Sequence, residues 1–178
     1  MNDDESIEEE LRIAEEQDSE YTQQLSSEIF KMTIDELKLP RAVCVELGTP
    51  LSQVVSLMQE RKFGSLLVTH NRRLAGIITE RDILMKVTGL PIDLKRTPVE
   101  KVMTPDPISL KNTDMIAYAM NNMHVGGYRH VPIVDDNDVP ICVVSVKDVV
   151  GYILEHFPNE ILNITGEPYR GVTLRESA

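Results

Sequence analysis

Hydrophobic and polar positions follow the same order twice along the chain. An extended apolar run comes first, then a helical pattern, then two apolar runs on either side of a polar turn, then a second helical pattern. The same series returns 64 to 66 positions later. The pattern therefore predicts an α/β (α+β) fold built from two units of strand, helix, strand, strand and helix, each of about 60 residues.

Matched positions fix the register of this repeat. Thr33 and Thr97 are each followed three residues later by glutamate, the capping-box pattern that begins a helix. Thr49 and Thr113 mark the start of the longer helix in each copy, and Pro50 is expected at the first helical position. The paired extended runs are 42–45 with 107–110, 65–68 with 130–134, and 74–78 with 141–144.

The two units are expected to share one core, because a single unit of this size buries too little surface. Pseudo-two-fold symmetry would relate them, and each strand pair would form a small sheet with two helices on one face. The expected divisions are an acidic N-terminal segment (1–30), a first unit (31–92), a second unit (93–157) and a C-terminal tail (158–178). The acidic segment is expected to be solvated or partly helical, and docking on a partner subunit is the alternative.

Charge divides the chain into an acidic segment and a nearly neutral body. Residues 1–30 carry 11 acidic groups and one basic group, whereas the remaining 148 residues carry 18 acidic and 17 basic groups. A nucleic-acid backbone requires a basic surface, so we expect no nucleic-acid partner. No apolar run approaches the ~20 residues that cross a bilayer, and the acidic start is unlike a signal peptide. We therefore expect a cytoplasmic protein without a membrane partner.

The residue types that most often carry out catalysis form no recognisable pattern. Cys44 and Cys142 each lie in an apolar run and make neither a disulfide framework nor a metal site, so both are expected to be buried. The four histidines show no metal-binding spacing, and no catalytic triad follows from the order of residues. We expect no metal site and no enzymatic activity.

A hydroxyl and an aspartate three residues apart open the last helix of each copy, as Thr79 with Asp82 and Ser145 with Asp148. One interpretation is structural, since such a pair caps a helix and satisfies its free backbone N–H groups. The other is functional, since a carboxylate at a strand-to-helix turn can accept both hydrogen bonds of a ribose diol. A phosphate would then lie near the helix N-terminus. Both can hold together, because the cap fixes the carboxylate that a sugar would use.

Residues 32–157 resemble a tandem pair of CBS domains, also called a Bateman module. In the first copy the resemblance lies in 76–82, which is similar to the family's signature of glycine, an apolar residue, any residue, threonine or serine, and aspartate three positions on. In the second copy it lies in 129–135 and 143–148. One position departs from the signature, because Cys142 replaces its glycine.

The resemblance implies that AMP, ADP or ATP binds in clefts between the two units. The aspartate would hold the ribose, the start of the long helix of the opposite unit would meet the adenine, and basic groups would meet the phosphates. The principal site implied in this way consists of Thr49, Pro50, Val54, Arg129, His130, Val131, Pro132, Ser145, Lys147 and Asp148. The second site consists of Gly64, Ser65, Thr79, Arg81, Asp82 and Thr113.

The two implied sites differ in their basic residues. Arg129 and His130 lie on the strand that leads into the cleft in the second copy, whereas the aligned Gly64 and Ser65 of the first copy carry no charge. The Asp148 site is therefore expected to bind a nucleotide more tightly, with Arg81 as the substitute cation in the first copy. The structural alternative is that Arg129 is a surface arginine and His130 a half-buried histidine.

The function implied is that of a stand-alone regulatory pair without catalysis of its own. An adenine nucleotide would change the relative angle of the units, and a regulated protein that the sequence does not identify would respond. We expect a homodimer. The alternative is a ligand-free dimerisation and interaction module. A fragment of a larger enzyme or transporter is disfavoured, because only about 50 residues lie outside the repeat.

Overall fold

Residues 31–156 are described by a computed structural model, and the predictions for 1–30 and 158–178 lie outside the described residues. The first set of elements is β1 (Cys44–Glu46), α1 (Leu51–Arg61), β2 (Ser65–His70), β3 (Arg73–Thr79) and α2 (Glu80–Lys86). After β4 (Thr104–Pro105), the second set is β5 (Leu110–Lys111), α3 (Ile116–Gly126), β6 (His130–Val134), β7 (Pro140–Ser145) and α4 (Val146–His156). The predicted α/β repeat is confirmed.

The strands form two sheets that are larger than the predicted strand pairs. One sheet has the order β1-β2-β3-β4 and the other β5-β6-β7. In each sheet the first strand pairs in parallel with the second, which forms an antiparallel hairpin with the third. The expectation of two-stranded sheets was wrong, because the run before the long helix joins each hairpin and β4 extends the first sheet.

Gly76 explains why β4 pairs with β3. A Cβ at position 76 would lie against Sδ of Met103 and 3.0 Å from the carbonyl oxygen of Thr104. The missing side chain lets β4 approach, with Pro105 opposite Gly76. In the second copy Cys142 takes the place of glycine, and the corresponding chain makes a backbone hydrogen bond to β7 without forming a described strand. The side chain of Cys142 is accommodated in the core instead.

Each copy contributes its first segment to the core of the other. Ile34 is buried with Ile116 in the core of the second copy, and its backbone N–H donates to the carbonyl oxygen of Asp114 over 2.9 Å. In the same way Val99 is buried in the core of the first copy and donates to Thr49 over 2.9 Å. The first segment of each unit thus belongs to the core of the other unit. The domain boundary near residue 92 stays a prediction.

Helix ends differ in detail from those predicted. The capping box at Thr33 forms, but it begins a 3₁₀ helix (Ile34–Leu37) rather than an α-helix. The box at Thr97 does not form, because Pro98 is the N-cap of the second 3₁₀ helix (Val99–Lys101) and Glu100 accepts a hydrogen bond from the backbone N–H of Gly48 over 2.9 Å. The long helices begin one or more residues later than predicted, with Pro50 and Met115 as their N-caps.

The prediction that both cysteines are buried is confirmed for one and wrong for the other. Cys142 is buried in the second core, and desolvation together with the charge of Asp148 raises the pKa of its thiol to about 11. Its thiol is therefore protonated at neutral pH. Cys44 is exposed, because β1 is an edge strand whose alternate residues face away from the core.

Candidate functional site

The hydroxyl–aspartate pairs form reciprocal helix caps in both copies. Oδ2 of Asp82 accepts hydrogen bonds from the backbone N–H of Thr79 over 2.9 Å and from its hydroxyl over 2.7 Å. Oδ2 of Asp148 accepts the same two bonds from Ser145, over 2.8 Å and 2.6 Å. The structural interpretation of the motif is thus confirmed. It holds each carboxylate in one orientation at the end of a strand, where a ligand can use it.

The second oxygen distinguishes the two aspartates. Oδ1 of Asp82 lies 2.7 Å from Nζ of Lys86, and this ammonium also donates to the carbonyl oxygen of Val102 over 2.7 Å. Burial opposes ionisation of Asp82, but the hydrogen bonds from Lys86 and Thr79 hold its pKa below the ordinary value. For Oδ1 of Asp148, residues 31–156 provide no hydrogen bond and no ion pair.

A cavity of about 410 Å³ lies beside Asp82 and is called the Asp82 cleft. Both units line it. The N-terminal end of α2 belongs to the first unit, and residues 104–108 and the turn after α3 belong to the second. Its lining residues are 64, 77, 79–82, 104–108 and 126–130. Arg81 spans the two units there, because its Nη1 donates to the carbonyl oxygen of Gly127 over 3.2 Å.

A larger cavity of about 760 Å³ lies beside Asp148 and is called the Asp148 cleft. The β7–α4 turn of the second unit forms one side. The chain leading to β1 and the turn between α1 and β2 form the other side. The lining residues are 39–43, 62–65, 80, 129, 130, 143, 145–148 and 150.

Gly64, Glu80, Arg129 and His130 line both clefts and form a shared wall. Arg129 is exposed and His130 is half-buried, as the structural alternative expected. Burial and the neighbouring Arg129 lower the pKa of His130, against opposing effects of Glu80 and Asp148. His130 is therefore mainly neutral near pH 7 in the absence of a bound anion.

The structure brings half of the principal-site residues together at the Asp148 cleft, namely Arg129, His130, Ser145, Lys147 and Asp148. It places the other half elsewhere, namely Thr49, Pro50, Val54, Val131 and Pro132. Val54 and Val131 lie in the two hydrophobic cores, and the hydroxyl of Thr49 donates to the carbonyl oxygen of Glu46 over 2.6 Å. Pro50 forms a backbone bridge with Pro98.

At the Asp82 cleft the structure brings together Gly64, Thr79, Arg81 and Asp82. Ser65 lines the Asp148 cleft instead, and Thr113 lines neither. The start of the long helix of the opposite unit lines neither cleft, so its contact with the adenine stays a prediction. The chain before the first strand and the turn after the long helix take its place in both clefts, at positions that the repeat relates to each other.

The described residues were also compared with the geometry of metal sites and of membrane-spanning helices. Within residues 31–156, no three histidine, cysteine, aspartate or glutamate side chains come close enough to hold a metal ion. None of the described helices combines the length and the apolar composition needed to cross a bilayer.

Comparison with known proteins identifies the repeat. A family model described as CBS domain matches residues 34–89 and again 99–155. A CBS domain-containing protein of Arabidopsis thaliana is 36% identical over 108 residues, which are 60% of this chain and 20% of that protein. The match thus spans about a fifth of the plant protein's length.

Solved structures share the fold. A CBS-domain containing protein from Agrobacterium tumefaciens is 25% identical, with a TM-score of 0.61 over 68% of this chain and 98% of that one. A CBS domain protein from Pyrobaculum aerophilum complexed with AMP is also 25% identical, with a TM-score of 0.61 over 66% of this chain and 89% of that one.

Proposed function

The chain belongs to the CBS-domain family, and from that premise we propose that it is a regulatory pair that binds an adenine nucleotide in the Asp148 cleft. AMP, ADP and ATP share the adenosine that the cleft would recognise, and the phosphates would lie among its basic side chains. The ligand acts as a signal and is not consumed, so no catalysis is proposed. The cytoplasmic location stays a prediction.

The observation that carries this proposal is the state of the Asp148 carboxylate. Two hydrogen bonds from Ser145 fix Oδ2, while Oδ1 has no partner among the described residues. A carboxylate oxygen can accept two hydrogen bonds, which is what the two adjacent hydroxyls of a ribose offer. The carboxylate is held rigidly, so little side-chain entropy is lost when the sugar binds.

The charges of the two clefts favour a phosphate at Asp148. Arginine and lysine outnumber acidic residues in the Asp148 cleft and are outnumbered in the Asp82 cleft. The Asp148 cleft has Arg41, Lys62, Arg129 and Lys147 against Glu80 and Asp148. The Asp82 cleft has Arg81 and Arg129 against Glu80, Asp82 and Asp106.

The sequence ranked the Asp148 site as the tighter nucleotide site because of Arg129 and His130, whereas the structure supports the same ranking through other basic residues. Arg129 and His130 line both clefts, so they do not by themselves favour Asp148. Arg41 and Lys62 line only the Asp148 cleft. The AMP complex of the Pyrobaculum aerophilum relative supports the choice of ligand class.

Signalling would follow from the position of the cleft. Each cleft is lined by residues of both units, so a ligand that contacts both sides changes the free energy of their relative arrangement. A regulated protein that distinguishes the two arrangements would receive the signal. The chemistry of the clefts supports an adenine nucleotide as the ligand.

Isothermal titration with adenosine, AMP, ADP and ATP tests the proposal. We expect binding of a nucleotide to the wild type and its loss in Asp148→Ala. Asp136→Ala is the matched control, because the Asp136 side chain is fully exposed and lines neither cleft. Failure of the wild type to bind any of the four compounds would overturn the proposal.

We also propose that the protein forms a homodimer through its helices. Exposed apolar side chains lie on α2, where Leu84 is 63% and Met85 71% exposed, and along one face of α4 at Val146, Val150 and Leu154. A second copy could cover these side chains. The alternative function, a dimerisation module with empty clefts, rests on the same residues. Light scattering tests for the dimer, and titration with AMP separates the two functions, because the alternative predicts a dimer that binds no nucleotide.

A further inference from the structure

A carboxylate can bind the two hydroxyls of a ribose only if it has two free positions that accept hydrogen bonds. A carboxylate has about four lone-pair positions, two on each oxygen. The helix cap uses two of them in each copy, because both Thr79 and Ser145 donate two bonds to Oδ2 of the aspartate three residues later. The remaining oxygen decides whether a diol can be held by two bonds.

Lys86 takes one of the remaining positions at Asp82. Its Nζ lies 2.7 Å from Oδ1, and the side chain of Asp82 is only 11% exposed. A second bond from the same ammonium to the carbonyl oxygen of Val102 holds Lys86 in place. Asp82 therefore keeps about one acceptor position for a ligand, whereas Asp148 keeps about two.

The second copy has no cation at the corresponding position. Tyr152 stands four residues after Asp148, as Lys86 stands four residues after Asp82. The ring of Tyr152 stacks on His156 with centroids 3.8 Å apart, and no described cation pairs with Asp148. Both copies thus have the same helix cap, but only the first copy has a lysine that pairs with the aspartate.

We propose that Lys86 determines the stoichiometry of the pair by withdrawing Asp82 from ribose recognition, so that the Asp148 cleft is the single nucleoside site. This inference rests on the proposed function. A ligand diol at the Asp82 cleft would have to break the ion pair of Lys86 or bind with one hydrogen bond fewer. Lys86 is a specificity-determining residue that acts through Asp82 and does not line the cleft itself.

Titration with adenosine, which has the diol and no phosphate, tests the inference in four proteins. We expect one site per chain in the wild type and two in Lys86→Met, with the new site at least about tenfold tighter than any residual binding there. Asp148→Ala should bind no adenosine, and Asp148→Ala combined with Lys86→Met should regain one site. A gain of binding cannot result from unfolding.

Lys95→Met is the matched control, because Lys95 is exposed and lines neither cleft. Two sites in the wild type, or one in both the wild type and Lys86→Met, would overturn the inference and leave the proposed function intact. Binding only after Lys86→Met would support the inference and overturn the proposed principal site. No binding of adenosine in any of the proteins would overturn the inference, and the titrations with AMP, ADP and ATP would then decide the proposed function.

Discussion

The side chain of Arg81 forms a hydrogen bond with the backbone of Gly127 and so joins the two copies of the repeat. Nη1 of the arginine donates to the carbonyl oxygen of the glycine over 3.2 Å. The bond joins the first turn of α2 to the turn after α3 at the wall of the Asp82 cleft. Arg81 is exposed, so water screens the interaction and limits its contribution to stability.

Replacing Arg81 by glutamine should therefore lower the free energy of unfolding by no more than about 1 kcal/mol, because the lost bond is accessible to water. Urea denaturation measures the change. Arg61→Gln serves as the control, since Arg61 is an exposed arginine that lines neither cleft. A loss above about 2 kcal/mol would mean that the contact between the copies is not screened.

Two glycines should respond to alanine in opposite ways. Gly76→Ala should destabilise the protein by about 1–3 kcal/mol, because the new Cβ meets Met103 and the Thr104 carbonyl oxygen and displaces β4. Gly151→Ala should stabilise it by up to about 1 kcal/mol, because Gly151 lies inside α4 with open space at its Cβ position. Thermal or urea unfolding of both variants checks this contrast, and equal shifts would contradict it.

Basic residues of the Asp148 cleft should distinguish ATP from adenosine. Arg41→Ala should weaken ATP binding about tenfold and change adenosine binding less than about twofold, because a charge-assisted bond to phosphate is lost and the ribose contact is kept. Arg129→Ala should behave in the same way. Arg61→Ala provides the comparison in calorimetric titrations. An equal effect on both ligands would place these arginines away from the phosphates.

The affinity for ATP should increase as the pH falls from about 8 to about 6. Burial and Arg129 lower the pKa of His130, so the folded protein holds this side chain mainly neutral at pH 7. A bound phosphate favours the protonated form, so proton uptake accompanies binding and a lower pH strengthens it. Glu80 and Asp148 face the same ring and act in the same direction as the phosphate.

Titrations across this pH range in wild type and His130→Asn measure the effect. The variant should lose the part of the pH dependence that His130 contributes, while protonation of ATP itself affects both proteins alike. Adenosine should show no such increase in either protein. Identical slopes for ATP in the two proteins would exclude His130 from the phosphate contact.

The repeat could be predicted from sequence because each landmark is local. Thr79 and Ser145 cap their helices through residues three positions away, and short continuous apolar runs bounded by turn residues are typical of buried strands. The β4 strand was missed because it depends on Gly76 being opposite Pro105, which a local pattern does not reveal. The exchange of first segments was missed for the same reason, since Ile34 and Ile116, which share one core, are separated in sequence by more than one copy of the repeat.

The candidate site was predictable only on the side that carries the motif. Ser145, Lys147 and Asp148 adjoin the strand-to-helix turn, and the structure places all three at one cleft. The opposite side depends on how the units pack, and Thr49 and Val54, which the resemblance assigned to it, do not line that cleft. The role proposed for Lys86 could not be inferred from sequence. A lysine four residues after an aspartate on a helix predicts an ion pair, but only the structure shows that the lysine lies at Oδ1 of Asp82.

The exchange of first segments also bears on the origin of the chain. A single copy of the repeat would expose the cavity that the other copy's first segment fills, because Ile34 completes one core and Val99 the other. Such a copy could complete its core by taking the segment from a second molecule. A single-copy ancestor that did so would have been a dimer with swapped segments, and duplication and fusion of its gene would have turned an intermolecular exchange into an intramolecular one.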